Sequence, residues 1–278
     1  MNILNTLSYI IWDVNPDIVV LPVVNHPLRW YGVLFALGFL VSQQIMYFIY
    51  RKDGRPEKEV DTLAIYLVIA TVVGARLGHV LFYDPVYYFQ NPHKILMTWE
   101  GGLASHGGVI GVLIGLYLFA RKTKVSYLWA LDRVCIVAAF TFSMIRMGNL
   151  MNSEMIGKPT DLSWAFIFTS FDGVPRHPAQ LYEAIHYFVV FGILFWVWRT
   201  QRKKLKDGLL FSSSVIVLFT LRFIDEFFKL NQVDFEEGLM LNMGQMLSIP
   251  FILSGVALLV AVTRRKRKTN QIDEILAE

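Results

Sequence analysis

The stretch that decides the fold is SYLWALDRVCIVAAFTFSMIRMGNLMNSEMIG, residues 126–157. Its first part, Ser126 to Met144, is a largely apolar run about as long as a membrane-spanning helix. Residues 145–157 then bring one arginine, two asparagines and one glutamate close together. Ionisable groups at the end of an apolar helix are costly unless they are paired or hydrated, so they are candidates for function. We expect Gly148 to let the helix unwind and to turn the polar side chains that follow it back toward Arg146.

The composition of the whole chain is that of a membrane protein. Of its 278 residues, 55% are hydrophobic and 17% are charged, and the mean hydropathy is +0.46, whereas a soluble domain carries about 25% charged residues. The net charge of +4 lies in short basic clusters between apolar runs, which indicates membrane topology rather than nucleic-acid binding. The one cysteine, Cys135, excludes a disulfide framework and a cysteine metal site. No other spacing typical of metal ligands occurs, and we expect neither a metal nor a cofactor.

Seven apolar segments have the length of roughly 20 residues that a bilayer core demands. They are about Leu28–Tyr50, Val60–Tyr83, Gly102–Ala120, Ser126–Met147, Gln180–Trp198, Leu209–Phe228 and Leu241–Val262. Basic clusters follow the first, third, fifth and seventh segments, and the other connections are far less basic. By the positive-inside rule the N-terminus lies outside and the C-terminus lies in the cytoplasm.

The predicted fold is therefore an all-α polytopic membrane protein with one domain over residues 1–278. We expect an extended stretch at Asp17–Val24 and a short strand within residues 164–168. The parts outside the spans are an N-terminal arm (1–27), a small external head (148–179) and a cytoplasmic tail (263–278). The expected external connections are Asp84–Glu100, Gly148–Ala179 and Lys229–Met240.

Polar motifs converge on the outer ends of the predicted spans. Besides residues 145–157, they are WYG (30–32), GARLGHVLFY (74–83), GGLASHGG (101–108) and RHPAQLYE (176–183). The glycines of the second and third spans recur at four-residue intervals, which favours close packing of two helices.

Three arginines lie within or at the ends of apolar spans: Arg76, Arg146 and Arg222. A guanidinium is a planar fork suited to two-point recognition of phosphate, and the commonest phosphate in a membrane is the lipid headgroup. A single such arginine is also compatible with a side chain that merely reaches to the membrane surface. For Arg222 the alternative is an intrahelical ion pair with Asp225 or Glu226, and pairing and phosphate binding can coexist.

Two histidines stand in these motifs. His106 is flanked by glycines that leave its ring accessible, and an unperturbed pKa near 6.5 suits proton abstraction at neutral pH. The alternative is a structural histidine at a helix start. His177 precedes Pro178, where we expect it to orient the loop.

These motifs resemble, in order along nearly the whole chain, the bacterial phosphatidylglycerol–prolipoprotein diacylglyceryl transferases. The family signature G-R-x-G-N-F-x-N-x-E-x-x-G matches residues 145–157 except at Ile145 and Leu150. GGLASHGG, WYG and RHPAQLYE also match, as do MGQ (243–245) and SIP (248–250). Many members carry a tyrosine four residues before the second essential arginine, where this chain has Leu218. A mechanism that requires that hydroxyl cannot operate here.

The resemblance implies transfer of the sn-1,2-diacylglyceryl group of phosphatidylglycerol to the lipobox cysteine of a prolipoprotein signal peptide, within the lipid bilayer. It implies that Arg146 and Arg222 hold phosphate, and that His106 is the base or a hydrogen-bonding orienter. The other implied substrate-binding residues are Tyr31, Tyr83, Asn149, Glu154, Gly157 and Glu226.

The alternative from another class is a transporter or channel with an outer-leaflet anion site. Polar residues should then continue through the inner halves of the spans, but residues 111–120 are mostly apolar. The adjacent Asp132 and Arg133 are the exception, and we expect them to pair locally. A retinal receptor needs a mid-span lysine, and the sequence has none.

Overall fold

Long helices dominate the protein, whose computed structural model describes residues 9–21, 26–230 and 239–265. Seven helices in this part of the chain are between 17 and 25 residues long, and an eighth has six residues. The helices are α1 (Trp30–Lys52), α2 (Lys58–Phe82), α3 (Pro85–Gln90), α4 (Ser105–Thr123), α5 (Tyr127–Met151), α6 (Ala179–Gln201), α7 (Leu209–Asp225) and α8 (Met243–Arg264).

The prediction of an all-α polytopic membrane protein is confirmed. Among the described residues, five helices (α1, α2, α5, α6 and α8) are long and apolar enough to cross a membrane. The total of seven spans stays a prediction, because two long helices are not among these five: α4, and α7 with its 17 residues. Where the sequence predicts a span up to Phe228, α7 ends at Asp225 and a 3₁₀ turn covers Glu226–Phe228.

Two small sheets accompany the helices. Strand β1 (Ile10–Trp12) pairs in parallel with β4 (Phe166–Phe168), and β4 pairs antiparallel with β5 (Pro175–Arg176). Strand β2 (Asp17–Leu21) pairs antiparallel with β3 (His26–Arg29). The extended stretch of the arm is thus confirmed as far as residue 21, and so is a strand within residues 164–168. Residues 1–8 and 22–25 of the arm, 231–238 of the last external connection and 266–278 of the tail lie outside the described residues.

The chain forms two compact units, one of residues 1–42 with 135–278 and one of residues 43–134. In the second unit α2 packs closely on α4, because a Cβ on Gly78 would lie 2.8 Å from the Cα of Gly107. The prediction of small-residue packing is therefore confirmed. Arg133 pairs at 2.8 Å with Asp53, while Asp132 lies 3.9 Å away. The expected local pair is thus present at the longer distance, and the closer partner of Arg133 is Asp53 in the turn after α1.

In the first unit a small apolar core fixes the end of α5. Leu150 and Ile156 are buried there with Phe166 and Phe168 of β4. Trp12 packs against this core, and its indole Nε1 donates to the Leu150 carbonyl at 3.1 Å. Full burial of one such side chain is worth about 1.5–3 kcal/mol. The strands therefore hold the segment that follows α5 in place.

Candidate active site

Arg146 lies near the C-terminal end of α5 and is held along one side of its guanidinium. Its Nε is 2.9 Å from Oε2 of Glu183 in an ion pair. Its Nη1 donates to Oδ1 of Asn149 and to Sδ of Met155, both at 3.1 Å. Within the described residues Nη2 has no hydrogen-bond partner. One edge of the fork is thus fixed by protein, and the remaining nitrogen is available to a ligand.

The side chains that follow Arg146 form a connected network. Asn149 Nδ2 donates to Oε2 of Glu154, and Asn152 Nδ2 donates to Oε1 of the same carboxylate, each at 3.1 Å. The buried Gln180 donates from Nε2 to the Glu154 carbonyl oxygen. The prediction that these polar groups turn back toward Arg146 is therefore confirmed for Asn149 directly and for Glu154 through Asn149.

Gly148 does not unwind the helix, so that part of the prediction is wrong. Helix α5 continues to Met151, and the left-handed residues come after it, at Ser153 (φ 52°) and Met155 (φ 57°). Instead Gly148 allows close packing, because a Cβ there would lie 2.9 Å from Cδ2 of Tyr31. Two non-glycine residues at positive φ, separated by a single residue, are uncommon and strained, as is typical of functional segments.

A buried ion chain extends from Arg146, and we use this name for Arg146, Glu183, Lys229 and Glu226. Glu183 is 0% exposed and binds Lys229 Nζ through Oε1 at 2.8 Å. Lys229, 2% exposed, also binds Oε1 of Glu226 at 3.0 Å. Asn242, which caps α8, donates to Oε2 of Glu226 at 3.2 Å. The signs alternate along the chain, so each buried charge has an opposite neighbour.

Neither Glu183 nor Lys229 is predicted as a site residue from the sequence. Their pairing joins residues 46 positions apart, and no local pattern marks it. The sequence signals are the RHPAQLYE motif, which ends at Glu183, and the three-residue spacing between Glu226 and Lys229. Glu226 itself is among the residues implied by the family resemblance.

Arg222 lies in the last turn of α7, and among the described residues it makes no ion pair with Asp225 or Glu226. Asp225 Oδ2 instead accepts from His186 Nδ1 at 3.0 Å, and Glu226 belongs to the buried ion chain. Phosphate binding by Arg222 therefore stays a proposal. Asp225 and Glu226, the expected ion-pair partners of Arg222, contact other residues.

Gly157 fits between two backbone segments. Its N–H donates to the His177 carbonyl at 3.1 Å, and the Lys158 N–H donates to the Phe228 carbonyl at 2.8 Å. A Cβ on Gly157 would lie 2.6 Å from His177 Cβ and 2.8 Å from the Phe228 oxygen, so a side chain is excluded. His177 Nδ1 lies 3.2 Å from the Tyr182 hydroxyl. Burial lowers the pKa of His177, which keeps its ring neutral in this loop-orienting position.

A cavity of about 360 Å³ opens beside this network. It is lined by Ser153 to Ile156, Phe171, Lys229 and Leu230. Glu154 and Lys229 are therefore the charged residues in the lining of this cavity, and the rest of its lining is largely apolar.

His106 and Tyr83 lie in the second unit, whereas the other predicted site residues lie in the first. His106 is exposed in the first turn of α4. Its ring stacks on Tyr83 at a centroid distance of 5.9 Å and meets the edge of Phe82 at 5.3 Å. The histidine thus presents an accessible ring supported by two aromatic side chains.

Arg76 differs from Arg146, because all of its guanidinium nitrogens have backbone partners, which argues against the phosphate recognition considered for it. Its guanidinium is buried and donates to the backbone carbonyls of Lys94, Ile95, Met97, Gly101 and Gly102. It also lies 4.9 Å from the ring centroid of Tyr88. Its donors are consumed in holding the segment that leads into α4 and His106.

This fold and site define a polytopic helical membrane protein with a buried, arginine-centred polar network beside a cavity. The sequence matches the prolipoprotein diacylglyceryl transferase family over residues 18–261, and the chain belongs to that family. It is 47% identical to a phosphatidylglycerol–prolipoprotein diacylglyceryl transferase of Tolumonas auensis over 259 residues, covering 92% of this chain and 99% of the relative. The protein of that name from Chloroherpeton thalassium is 45% identical, covering 92% and 95%. That from Bacteroides fragilis is 43% identical, covering 94% and 98%.

The family resemblance seen in the sequence motifs is therefore confirmed, and with it the prediction of an enzyme, a transferase of lipoprotein biosynthesis. The transporter or channel alternative is not favoured.

Proposed function

We propose that this protein transfers the sn-1,2-diacylglyceryl group of phosphatidylglycerol to the lipobox cysteine of prolipoprotein signal peptides. The sulfur attacks the glycerol carbon bonded to the phosphate oxygen, so a thioether forms as that C–O bond breaks. Glycerol phosphate leaves with the bonding electron pair, and the thiol proton passes to an acceptor. This is the first step of bacterial lipoprotein maturation.

The observation that carries the proposal is the half-anchored fork of Arg146. Negative charge grows on the departing phosphate, and a preorganised guanidinium stabilises such charge without reorganising. Glu183 and Asn149 fix Nε and Nη1, which leaves Nη2 for a phosphate oxygen. Arg222 supplies a second positive charge in the same unit, and Glu154 braces Asn149.

The thiol must lose its proton, and a free cysteine has a pKa near 8.5. We assign His106 as the acceptor or as the group that orients the thiol, with Tyr83 supporting its ring. We assign Tyr31, packed on Gly148, together with Gly157 and Glu226 to the substrate-binding set. Leu218 provides no hydroxyl for this step.

We propose further that the protein lies in the bacterial inner membrane as one domain, with the N-terminus outside and the C-terminus in the cytoplasm. Both substrates then enter from the outer leaflet, where residues 148–179 form the head. The distribution of basic clusters supports this orientation.

The test is incubation of purified protein with isotopically labelled phosphatidylglycerol and a synthetic lipobox peptide, followed by mass analysis. We expect the peptide to gain the diacylglyceryl mass and an equal amount of labelled glycerol phosphate to appear. A peptide with serine in place of the lipobox cysteine is the matched control. Absence of the modified peptide with an active lipid substrate present would refute the proposal.

A further inference from the structure

Lys229 holds a position that the transfer chemistry does not explain. A lysine that is 2% exposed loses nearly all of its hydration, which is costly unless opposite charges replace the water. Here its ammonium lies 2.8 Å from Glu183 and 3.0 Å from Glu226. The backbone on either side of it is also fixed, because Phe228 accepts from Lys158 and Leu230 donates to Ile156.

The two oxygens of Glu183 have different partners. Oε1 accepts from Lys229, and Oε2 lies 2.9 Å from Nε of Arg146 in an ion pair that lacks hydrogen-bond geometry. Glu183 is therefore shared between two cations, one at each oxygen. Any movement of Lys229 changes the position at which Glu183 presents Oε2 to Arg146.

We propose that Lys229 is a positioning residue that acts through Glu183 to aim the guanidinium of Arg146. This rests on the proposed transfer reaction, in which Nη2 of Arg146 meets the phosphate. Without Lys229, the carboxylates of Glu183 and Glu226 face one arginine instead of two cations. The position of the Arg146 guanidinium then changes at its Nε edge, and Nη2 no longer faces the phosphate of the substrate.

Removal of Lys229 should lower kcat rather than raise KM, and the loss should depend on the positive charge at this position. Misplacement of a reacting or stabilising group by about 1 Å can cost about 10²-fold in rate. We expect Lys229→Met to lower kcat by about tenfold to 10²-fold, with little change in KM for phosphatidylglycerol. Lys229→Arg keeps a cation between the two carboxylates and should retain most of the wild-type kcat. Lys158→Met is the matched control, since Lys158 is exposed on the neighbouring segment.

A kinetic double-mutant cycle separates positioning from general structural support. If Lys229 acts through Glu183, Lys229→Met should lower kcat by less than about twofold further in the Glu183→Gln background. If Lys229→Met fails to fold, the double variant Lys229→Met with Glu226→Gln is used instead. It removes one positive and one negative charge, so the net charge of the buried ion chain stays at zero. That double variant should show the same loss of kcat.

Two outcomes would overturn the inference: wild-type kcat in a folded Lys229→Met protein, or losses that simply multiply in the Glu183→Gln cycle. The wild type, Lys229→Met, Glu183→Gln and their double variant are also compared by thermal unfolding. We expect the stability effects of the two substitutions to be coupled even without substrate. A wild-type protein that transfers nothing would refute the proposed function, whereas loss of coupling in the unfolding cycle would refute the ion-chain argument.

Discussion

Arg146 shows how a single residue in this site combines structural and chemical duties. Its guanidinium has five N–H donors in a rigid plane. Two of its nitrogens contact Glu183, Asn149 and Met155, and the third faces no described partner. A lysine ammonium is a point charge that cannot make these contacts and bind phosphate in the same plane.

We therefore predict that Arg146→Lys loses most activity although the charge is retained. Removal of one preorganised donor to a developing oxyanion costs about 10²–10³-fold in kcat. The measurement is the initial rate of peptide modification, with the folded state of the variant checked by thermal unfolding. Near-normal turnover would mean that Arg146 supplies only a diffuse positive field.

His106 poses a different question, because an exposed ring can act as a base or as an orienter. If it is the base, His106→Gln should lower the rate by about 10²–10⁴-fold near pH 7. Raising the pH should then partly restore the rate, because the peptide thiol ionises without help. The measurement is a pH–rate profile of both proteins on one lipobox peptide. A variant that retains more than about a tenth of the wild-type rate would exclude the base role.

At the scale of elements, the loop after α5 is held by the segments around residues 177 and 228. Gly157 and Lys158 bond to His177 and Phe228, so this loop is a joint between three parts of the first unit. The apolar core around Leu150 and Phe168 closes it from the other side. Substitutions that disturb these backbone hydrogen bonds or the core should therefore alter stability as well as activity, whereas replacing the exposed side chain of Lys158 leaves its backbone bonds in place.

The His177 ring predicts a pH dependence of stability. Burial lowers its pKa in the folded state, so between that pKa and the unfolded value near 6.5 the unfolded chain binds more protons. Stability should thus be complete above about pH 6.5 and should fall as the pH drops through this window. Thermal unfolding in detergent from pH 8 to pH 5 measures the effect. In His177→Gln the decline over this window should be smaller, and an unchanged profile would contradict the assignment.

The elements were predictable from sequence to the extent that local patterns encode them. The long helices follow from apolar runs, and the strand Phe166–Phe168 from its bulky residues. A local rule predicts that Gly148 unwinds the helix, but its role depends on a contact with Tyr31, which is far away in the sequence. The Lys229–Glu183 pair and the carbonyl contacts of Arg76 also depend on tertiary packing, which motif spacing does not contain.

At the scale of the whole molecule, charge is sorted along the chain. The last turns of α1, α4, α6 and α8 carry lysine or arginine at Arg51, Lys52, Arg121, Lys122, Arg199 and Arg264. In α2 and α5 the last turns contain no lysine or arginine, whereas the last turn of α7 carries Arg222 of the predicted site. Apart from α7, alternate helix ends thus differ in charge, which is the pattern that membrane insertion uses to fix orientation.

We predict from this pattern that the ends carrying the polar site face outward. Cysteines introduced at Gln90 and Lys158 should react with a membrane-impermeant maleimide on intact cells, whereas cysteines at Lys122 and Lys204 should react only after permeabilisation. All four positions are exposed, so reactivity reports the side of the membrane. The native Cys135 is 7% exposed and should give little background. Labelling in the reverse order would place Arg146 and its network on the cytoplasmic face, and thiol transfer at the outer leaflet would then be impossible.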